Sequence, residues 1–376
     1  MLKIDGMLLI GSGSRNTGKT QLACYILNKF AKSHRIVGVK VTTVTARDGR
    51  CPRNEKGCGI CSSLEGNFAI TEETDMHSGK DTSRLLAAGA SRVLWLRVLK
   101  THLQEGFAAL LEKIGDDVLL ICESNSLRTV VEPALFLMTE IGSSAIWKVS
   151  AAEAQQYVDK VVVSDGRAFD FDIDRINIIN GKWTLKEKAA AIVMAGGQSS
   201  RMGTDKSMLH ISGQSMIEVI CQQLVGNFEQ ILISDKKEGA LAFLGFTIIK
   251  DKVGGQGPLM GLVSALESSA NQLNFVTACD IPYIDLKFVR RMLREAQDFD
   301  AVVPIRDDGQ IEPLFAIYRK SVIPAINNAL SAGGRKMSDF FDQCKVKYLP
   351  LDAKNFTNLN TIADYQKFKE IRSDCI

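Results

Sequence analysis

Two stretches of the chain combine glycines with cations in a way that suits polyphosphate. In GSRNTGKT, Gly13, Gly18, Lys19 and Thr20 fit the spacing G-x-x-x-x-G-K-[ST]. Backbone N–H groups reach phosphate oxygens only where side chains are absent, Lys19 supplies charge, Thr20 can ligate magnesium, and a following helix aims its positive end at the anion. Glu123 closes the apolar run VLLIC, where a carboxylate can hold that metal or its water. In AGGQSSRMGTDK, Ala195, Gly196 and Gly197 leave an apolar run, Ser199 can donate to a phosphate, and Arg201 and Lys206 bring positive charge. A unit-charge contact at about 4 Å is worth roughly 1 kcal/mol in water and about 4 at an effective dielectric of 20. Two cations therefore do not balance a triphosphate, and a metal is implied. Asp251, at the end of FTIIKD, and Asp280, at the end of NFVTACD, offer the hard oxygen ligands that magnesium takes.

A third constellation is Cys51-x6-Cys58-x2-Cys61 in a polar stretch. Three thiolates at this spacing suit zinc or an iron–sulfur cluster, with His77, Cys24 or a second subunit as candidate fourth ligand. Reduced, solvent-facing thiols are the plain alternative. Cys24, Cys122, Cys221 and Cys279 sit among apolar residues and read as core.

Each glycine loop follows an apolar run and precedes a helical pattern, so two α/β domains in tandem must position these residues. The expectation is a P-loop NTPase-like domain over 1–184, with an irregular insertion at about 46–80. A Rossmann-like nucleotidyltransferase domain over 185–376 follows, both with mostly parallel sheets. The joint is placed in NGKWTLKEKAAA. The chain has 376 residues, 45% apolar and 24% charged, with a net charge of +3. That excludes neither domain, but it argues against nucleic acid or an anionic membrane as partner. The start MLKIDGMLLIGSG lacks the pattern of a signal peptide, and no apolar run reaches membrane-span length, so a cytoplasmic location is expected.

The first half resembles the P-loop accessory protein of molybdopterin guanine dinucleotide synthesis, through GSRNTGKT, GKDTSRLLAAGA at 79–90 and CESNSL at 122–127. That resemblance implies GTP binding and places Lys80 and Asp81 near the nucleotide; hydrolysis is left open. The second half resembles molybdenum cofactor guanylyltransferase. The motifs are AGGQSSRMGTDK, GPLMGL at 257–262, ACDIPYI at 278–284, EPLFAIY at 312–318 and FTNLNT at 356–361. The resemblance implies transfer of GMP from GTP to the phosphate of molybdopterin, releasing pyrophosphate. It assigns Gly196, Gly197, Ser199, Lys206 and Asp251 to GTP, Asp280 to magnesium, and Asn358 and Asn360 to the acceptor side. Arg335 and Lys336 are similar to a basic segment that could meet the pterin phosphate. Ser234 stands where the family often has Asn, which weakens the case for a base or ribose contact there. AGG rather than AAG resembles the guanine-using branch; a CTP-dependent cytidylyltransferase, or a transferase acting on another cofactor or sugar phosphate, is the nearest alternative. A GTP-binding adaptor and a metal-sensing regulator are alternatives of another class. Partners expected beyond the substrates are molybdoenzyme chaperones or insertases.

Overall fold

The structure, a computed structural model, describes residues 1–14, 16–44, 64–142, 149–196, 208–211, 213–236, 239–352, 356–359 and 361–373. The chain forms two compact units, Met1–Leu185 and Lys186–Ile376.

The first unit runs β1 (Leu2–Ser12), α1 (Lys19–Phe30), β2 (Ile36–Val44), β3 (Phe68–Glu72), α2 (Asp81–Ala87), β4 (Arg92–Leu99), α3 (Leu103–Ile114), β5 (Leu119–Glu123), β6 (Val131–Ile141), α4 (Val149–Gln155), β7 (Lys160–Ser164), β8 (Ile176–Ile179) and β9 (Lys182–Leu185). Seven strands form one sheet in the order β3-β4-β2-β5-β1-β6-β7. Only β3 runs antiparallel to its neighbour. The strands are apolar on both faces because helices cover both: Leu9, Val39 and Leu96 belong to one core, Leu8, Ile10 and Val93 to the other. β3 lies inside the stretch expected to be irregular. Its alternation explains it, since Phe68 and Ile70 pack on the core beside α3 while Thr71 and Glu72 do not. The residues read as a polar joint are also largely ordered. Trp183 on β9 is buried, donates from Nε1 to the Gly6 carbonyl at 3.0 Å, and meets Phe30 edge-on at 5.4 Å.

The second unit runs β10 (Glu187–Met194), β11 (His210–Ile211), β12 (Gln214–Ser215), α5 (Met216–Leu224), β13 (Phe228–Ser234), β14 (Thr247–Ile249), α6 (Gly257–Ser268), β15 (Leu273–Ala278), α7 (Leu286–Glu295), β16 (Ala301–Ile305), β17 (Phe315–Arg319), α8 (Ile323–Ser331), β18 (Val346–Pro350) and α9 (Ile362–Ser373). Its sheet has the order β14-β13-β10-β15-β17-β16-β18, with β17 antiparallel to both neighbours. The capping box at Ser215 and Glu218 starts α5 where SMIEVICQQL predicts a helix. The order reverses direction at β10, between β13 and β15, and the carboxyl ends of these strands face one edge, where α/β folds place ligands.

Candidate active site

In the second unit β10 ends at Met194 and the chain turns off the sheet at once. The amides of Ala195 and Gly196 both donate to the Ser234 carbonyl at the end of β13, at 2.8 and 3.2 Å. Gly196 leaves little room for a side chain: a Cβ would stand 3.1 Å from Lys236 Cγ and 3.3 Å from its amide nitrogen. Ser234 thus acts here through its backbone, while its side chain is buried. Gly197, Ser199, Arg201 and Lys206 lie outside the described residues.

Asp251 follows β14. Burial pushes its carboxyl above the ordinary value, the Lys236 charge works against this, and Asp235 adds to it. Its Oδ2 is buried without a hydrogen-bond partner. α6 closes on it through Gly261, where a Cβ would meet Ser234 Oγ at 2.8 Å, Met194 Cε at 2.9 Å and Asp251 Oδ1 at 3.2 Å. GPLMGL therefore needs its second glycine so that a helix can approach the strand ends.

Asp280 sits just past β15. The turn is held by Cys279 N donating to Met194 O at 3.2 Å and Ile281 N donating to Ala278 O at 3.2 Å. Gln223 on α5 pins the next residues, donating to Pro282 O at 2.9 Å and accepting from Ile284 N at 3.0 Å. Asp285, not Asp280, caps α7 by accepting from Lys287 N and Phe288 N, which leaves the Asp280 carboxylate out of helix capping. Leu359 N donates to the Asp280 carbonyl at 2.8 Å, so the FTNLNT segment docks on this tip. Its neighbour Asn358 has a buried Oδ1 without a partner; Asn360 lies outside the described residues. Strand order separates β14 from β15 by three spacings, about 14 Å.

The carboxylate that senses Asp280 is Glu312, which no sequence reading singled out. Burial pushes its carboxyl above the ordinary value, ion pairing to Arg306 opposes this, and the charges of Asp280 and Asp308 push it further up. Arg306 also lies over the Phe356 ring at 5.3 Å. EPLFAIY had carried the family resemblance without showing which of its residues faces the site. Lys236 was missed for a similar reason, because an exposed lysine after a strand gives no periodic signal. Arg335 is exposed, and its carbonyl lies 3.3 Å from where a Gly257 Cβ would be, at the start of α6. Asp339 Oδ2 accepts from both Arg335 N and Lys336 N, at 2.8 and 2.9 Å. The pair leads into the turn at 337–340.

In the first unit the 13–20 loop leads from β1 into α1. Gly13 N donates to Thr139 O at 2.9 Å, and Asn125 grips Ser12 with both amide atoms, at 2.8 Å each. Gly18 has φ +85°, a left-handed conformation, and a Cβ there would stand 3.0 Å from Phe169 Cζ. Thr20 Oγ1 donates to Glu123 Oε2 at 3.0 Å. Glu123 is 2% exposed, and its Oε1 has no partner. Burial pushes its carboxyl above the ordinary range, Lys19 opposes, and Asp81 adds to the rise. For Asp81 burial acts upward, but the hydrogen bond and charge of Lys40, with the Thr20 hydroxyl, outweigh it and hold the carboxyl low. Lys19, Thr20, Lys80, Asp81 and Glu123 line one cavity of about 960 Å³. These five residues thus surround one cavity, while Gly13 is not among its lining residues.

Cys51, Cys58 and Cys61 lie outside the described residues. Of the candidate fourth ligands, Cys24 is half-buried on α1, with Sγ 3.5 Å from the Arg84 carbonyl, and His77 is exposed. Among the described residues no group of three or more His, Cys, Asp or Glu is placed to hold a metal, and no helix is long and apolar enough to cross a membrane.

The mostly parallel sheet carries a glycine turn and an acidic strand tip at its carboxyl edge, and residues 191–346 match the MobA-like NTP transferase domain, which makes this unit a nucleotidyltransferase. A probable molybdenum cofactor guanylyltransferase of Carboxydothermus hydrogenoformans is 37% identical over 194 residues, 48% of this chain and 95% of the relative. One from Pelotomaculum thermopropionicum is 34% identical over 179 residues, 48% of this chain and 84% of the relative. The chain belongs, through its C-terminal half, to the molybdenum cofactor guanylyltransferase family. A solved molybdopterin-guanine dinucleotide biosynthesis protein A from Archaeoglobus fulgidus is 25% identical, with a TM-score of 0.44, covering 49% of this chain and 99% of that one.

Proposed function

We propose that the second unit transfers GMP from GTP to the phosphate of molybdopterin with release of pyrophosphate, and that the first unit binds GTP at the 13–20 loop as an accessory to that reaction. The observation that carries the transferase reading is the Leu359–Asp280 hydrogen bond, which joins the acceptor-side segment to the acidic tip of β15 on the edge that also bears Gly196 and Asp251. A phosphate monoester is already largely anionic near neutral pH, with a second pKa of about 6, so the acceptor needs alignment more than a strong base. Asp280, with Glu312 beside it, concentrates negative charge that suits a hard divalent cation. Magnesium held at Asp280 would supply charge neutralisation at the phosphates. Gly196 and its turn hold the nucleotide close to the backbone, while Lys206 and Arg201 stabilise the α-phosphate and the departing pyrophosphate. Asp251, with its unpartnered oxygen, belongs to the GTP site. Asn358 and Arg335 serve the acceptor side.

In the first unit Thr20 and the unpartnered oxygen of Glu123 fit a magnesium ion beside the nucleotide phosphates. The test is incubation of the full chain with molybdopterin and each labelled nucleoside triphosphate. Dinucleotide and pyrophosphate are expected with GTP; product only with CTP would overturn the guanylyl reading. Lys206→Ala and Asp280→Ala are each expected to lower turnover more than tenfold, at least about 1.4 kcal/mol in the barrier.

A further inference from the structure

The cavity at the 13–20 loop extends well beyond that loop on one side. Its lining runs from Lys19, Thr20 and Glu123 across Lys40 and Thr42 of β2 to Trp95 of β4. In the sheet, β1 and β4 are separated by β5 and β2, three strand spacings or about 14 Å. Among the described lining residues none comes from β6 or β7, on the other side of β1. The whole cavity therefore opens toward the carboxylate side of the loop, where Thr20 and Glu123 mark the metal and the end of the phosphate chain. Its volume of about 960 Å³ reaches the top of the range for small-ligand pockets, roughly 300–1,000 Å³.

The far wall has a distinct chemistry. On β2 and β4 the residues facing away from α3 begin as core: Gly38 packs against Val93 and Leu85 of α2. One step along each strand, beyond the reach of α2, that face becomes Lys40 and Thr42 opposite Trp95 and Arg97. Trp95 is fixed in orientation, since Nε1 donates to Thr42 Oγ1 at 3.0 Å and the Arg97 guanidinium lies 5.0 Å from the ring centroid. The rim adds Lys80 and Arg84, both exposed. A half-buried, oriented indole with hydroxyls and cations around it is a stacking platform for a flat anionic molecule.

We propose that the Trp95 end of this cavity is a subsite for a second ligand, a planar heteroaromatic molecule bearing a phosphate, which lies beyond the terminal phosphate of the nucleotide. The position relative to the nucleotide rests on the GTP reading of the 13–20 loop; the platform itself does not. Stacking on Trp95 holds the ring, Thr42 offers its hydroxyl to the edge, and Lys80 and Arg84 meet the phosphate.

The experiment is calorimetric titration of the full chain, saturated with magnesium and a non-hydrolysable GTP analogue, with 6-hydroxymethylpterin phosphate; a parallel arm uses GMP. Saturable binding of either compound is expected, and the arm that binds tells which source of phosphorylated heterocycle the platform takes. Trp95→Ala is expected to weaken the binding at least tenfold, or to remove one site from the count, with analogue affinity unchanged within twofold. Trp95→Phe is expected to retain it. Failure of both compounds to bind wild-type protein, or equal binding by Trp95→Ala, overturns the proposal, as does one-for-one displacement of the analogue. If the analogue itself does not bind, the nucleotide reading of the loop fails, while Trp95-dependent binding of the heterocycle still upholds the platform. Should Trp95→Ala not fold, Trp95→Leu takes its place, since it fills the volume without an aromatic face.

Discussion

Gly261→Ala pits two effects of opposite sign against each other. Residue 261 lies inside α6, where alanine is favoured over glycine by about 0.8–1.0 kcal/mol. Helix propensity alone therefore predicts a rise in stability, about 2–4 °C in Tm for a unit of this size. The added methyl, however, would meet Ser234 Oγ at 2.8 Å, Met194 Cε at 2.9 Å and Asp251 Oδ1 at 3.2 Å. Overpacking of this kind costs about 1–3 kcal/mol. Met194 and Ser234 can each rotate part of the way, so the net expectation is a loss of about 1 kcal/mol and a fall of about 2–4 °C. Because the methyl also displaces Asp251, KM for GTP should rise several-fold. Calorimetry gives the first quantity and steady-state pyrophosphate release the second. Adding Ser234→Ala removes the tightest contact and should restore part of both. A variant that melts higher than wild type with unaltered KM would refute the claim that α6 closes on the strand ends through this position.

In the first unit Gly18→Ala should lower stability by about 1–2 kcal/mol from the left-handed backbone alone, with a further loss from Phe169 that Phe169→Ala relieves; chemical denaturation of the two single variants and the double variant separates the parts. Glu123→Gln tests the buried carboxyl. With its folded pKa raised, the native state holds the proton longer than the unfolded chain, so stability falls as pH rises from the ordinary carboxylate value through the raised one. The glutamine variant should be at least as stable as wild type at neutral pH, converge with it in acid, and lose magnesium-dependent tightening of GTP; Tm against pH and nucleotide titration read these out. Asp339→Ala frees the amides of Arg335 and Lys336 and should raise KM for molybdopterin more than it changes kcat.

The strand-and-helix alternation of both halves was legible because buried parallel strands write continuous apolar runs, and the glycine turns mark where each run leaves the sheet. Asp251, Asp280, Glu123 and Lys19 could be found because each sits at such a break. Glu312 and Arg306 could not, since they lie on a connection between antiparallel strands and their meeting with Asp280 depends on strand order rather than spacing. β3 was hidden because five residues of alternation inside a polar stretch are too few to outweigh their surroundings. Gly261 read as an ordinary helix residue until the contact it permits was visible.

The reversed direction of β17 gives the transferase unit a second kind of access to its working edge. Each parallel strand must be followed by a long crossover, whose helix is part of the core and resists change. The connection from Arg306 to Leu314 returns by a short excursion and packs no helix. Apart from Arg306 and Glu312, whose ion pair lies beside Asp280, its sequence can vary without disturbing the strands and helices that carry Gly196 and Asp251, so that side of the edge can be redesigned while the rest stays as it is.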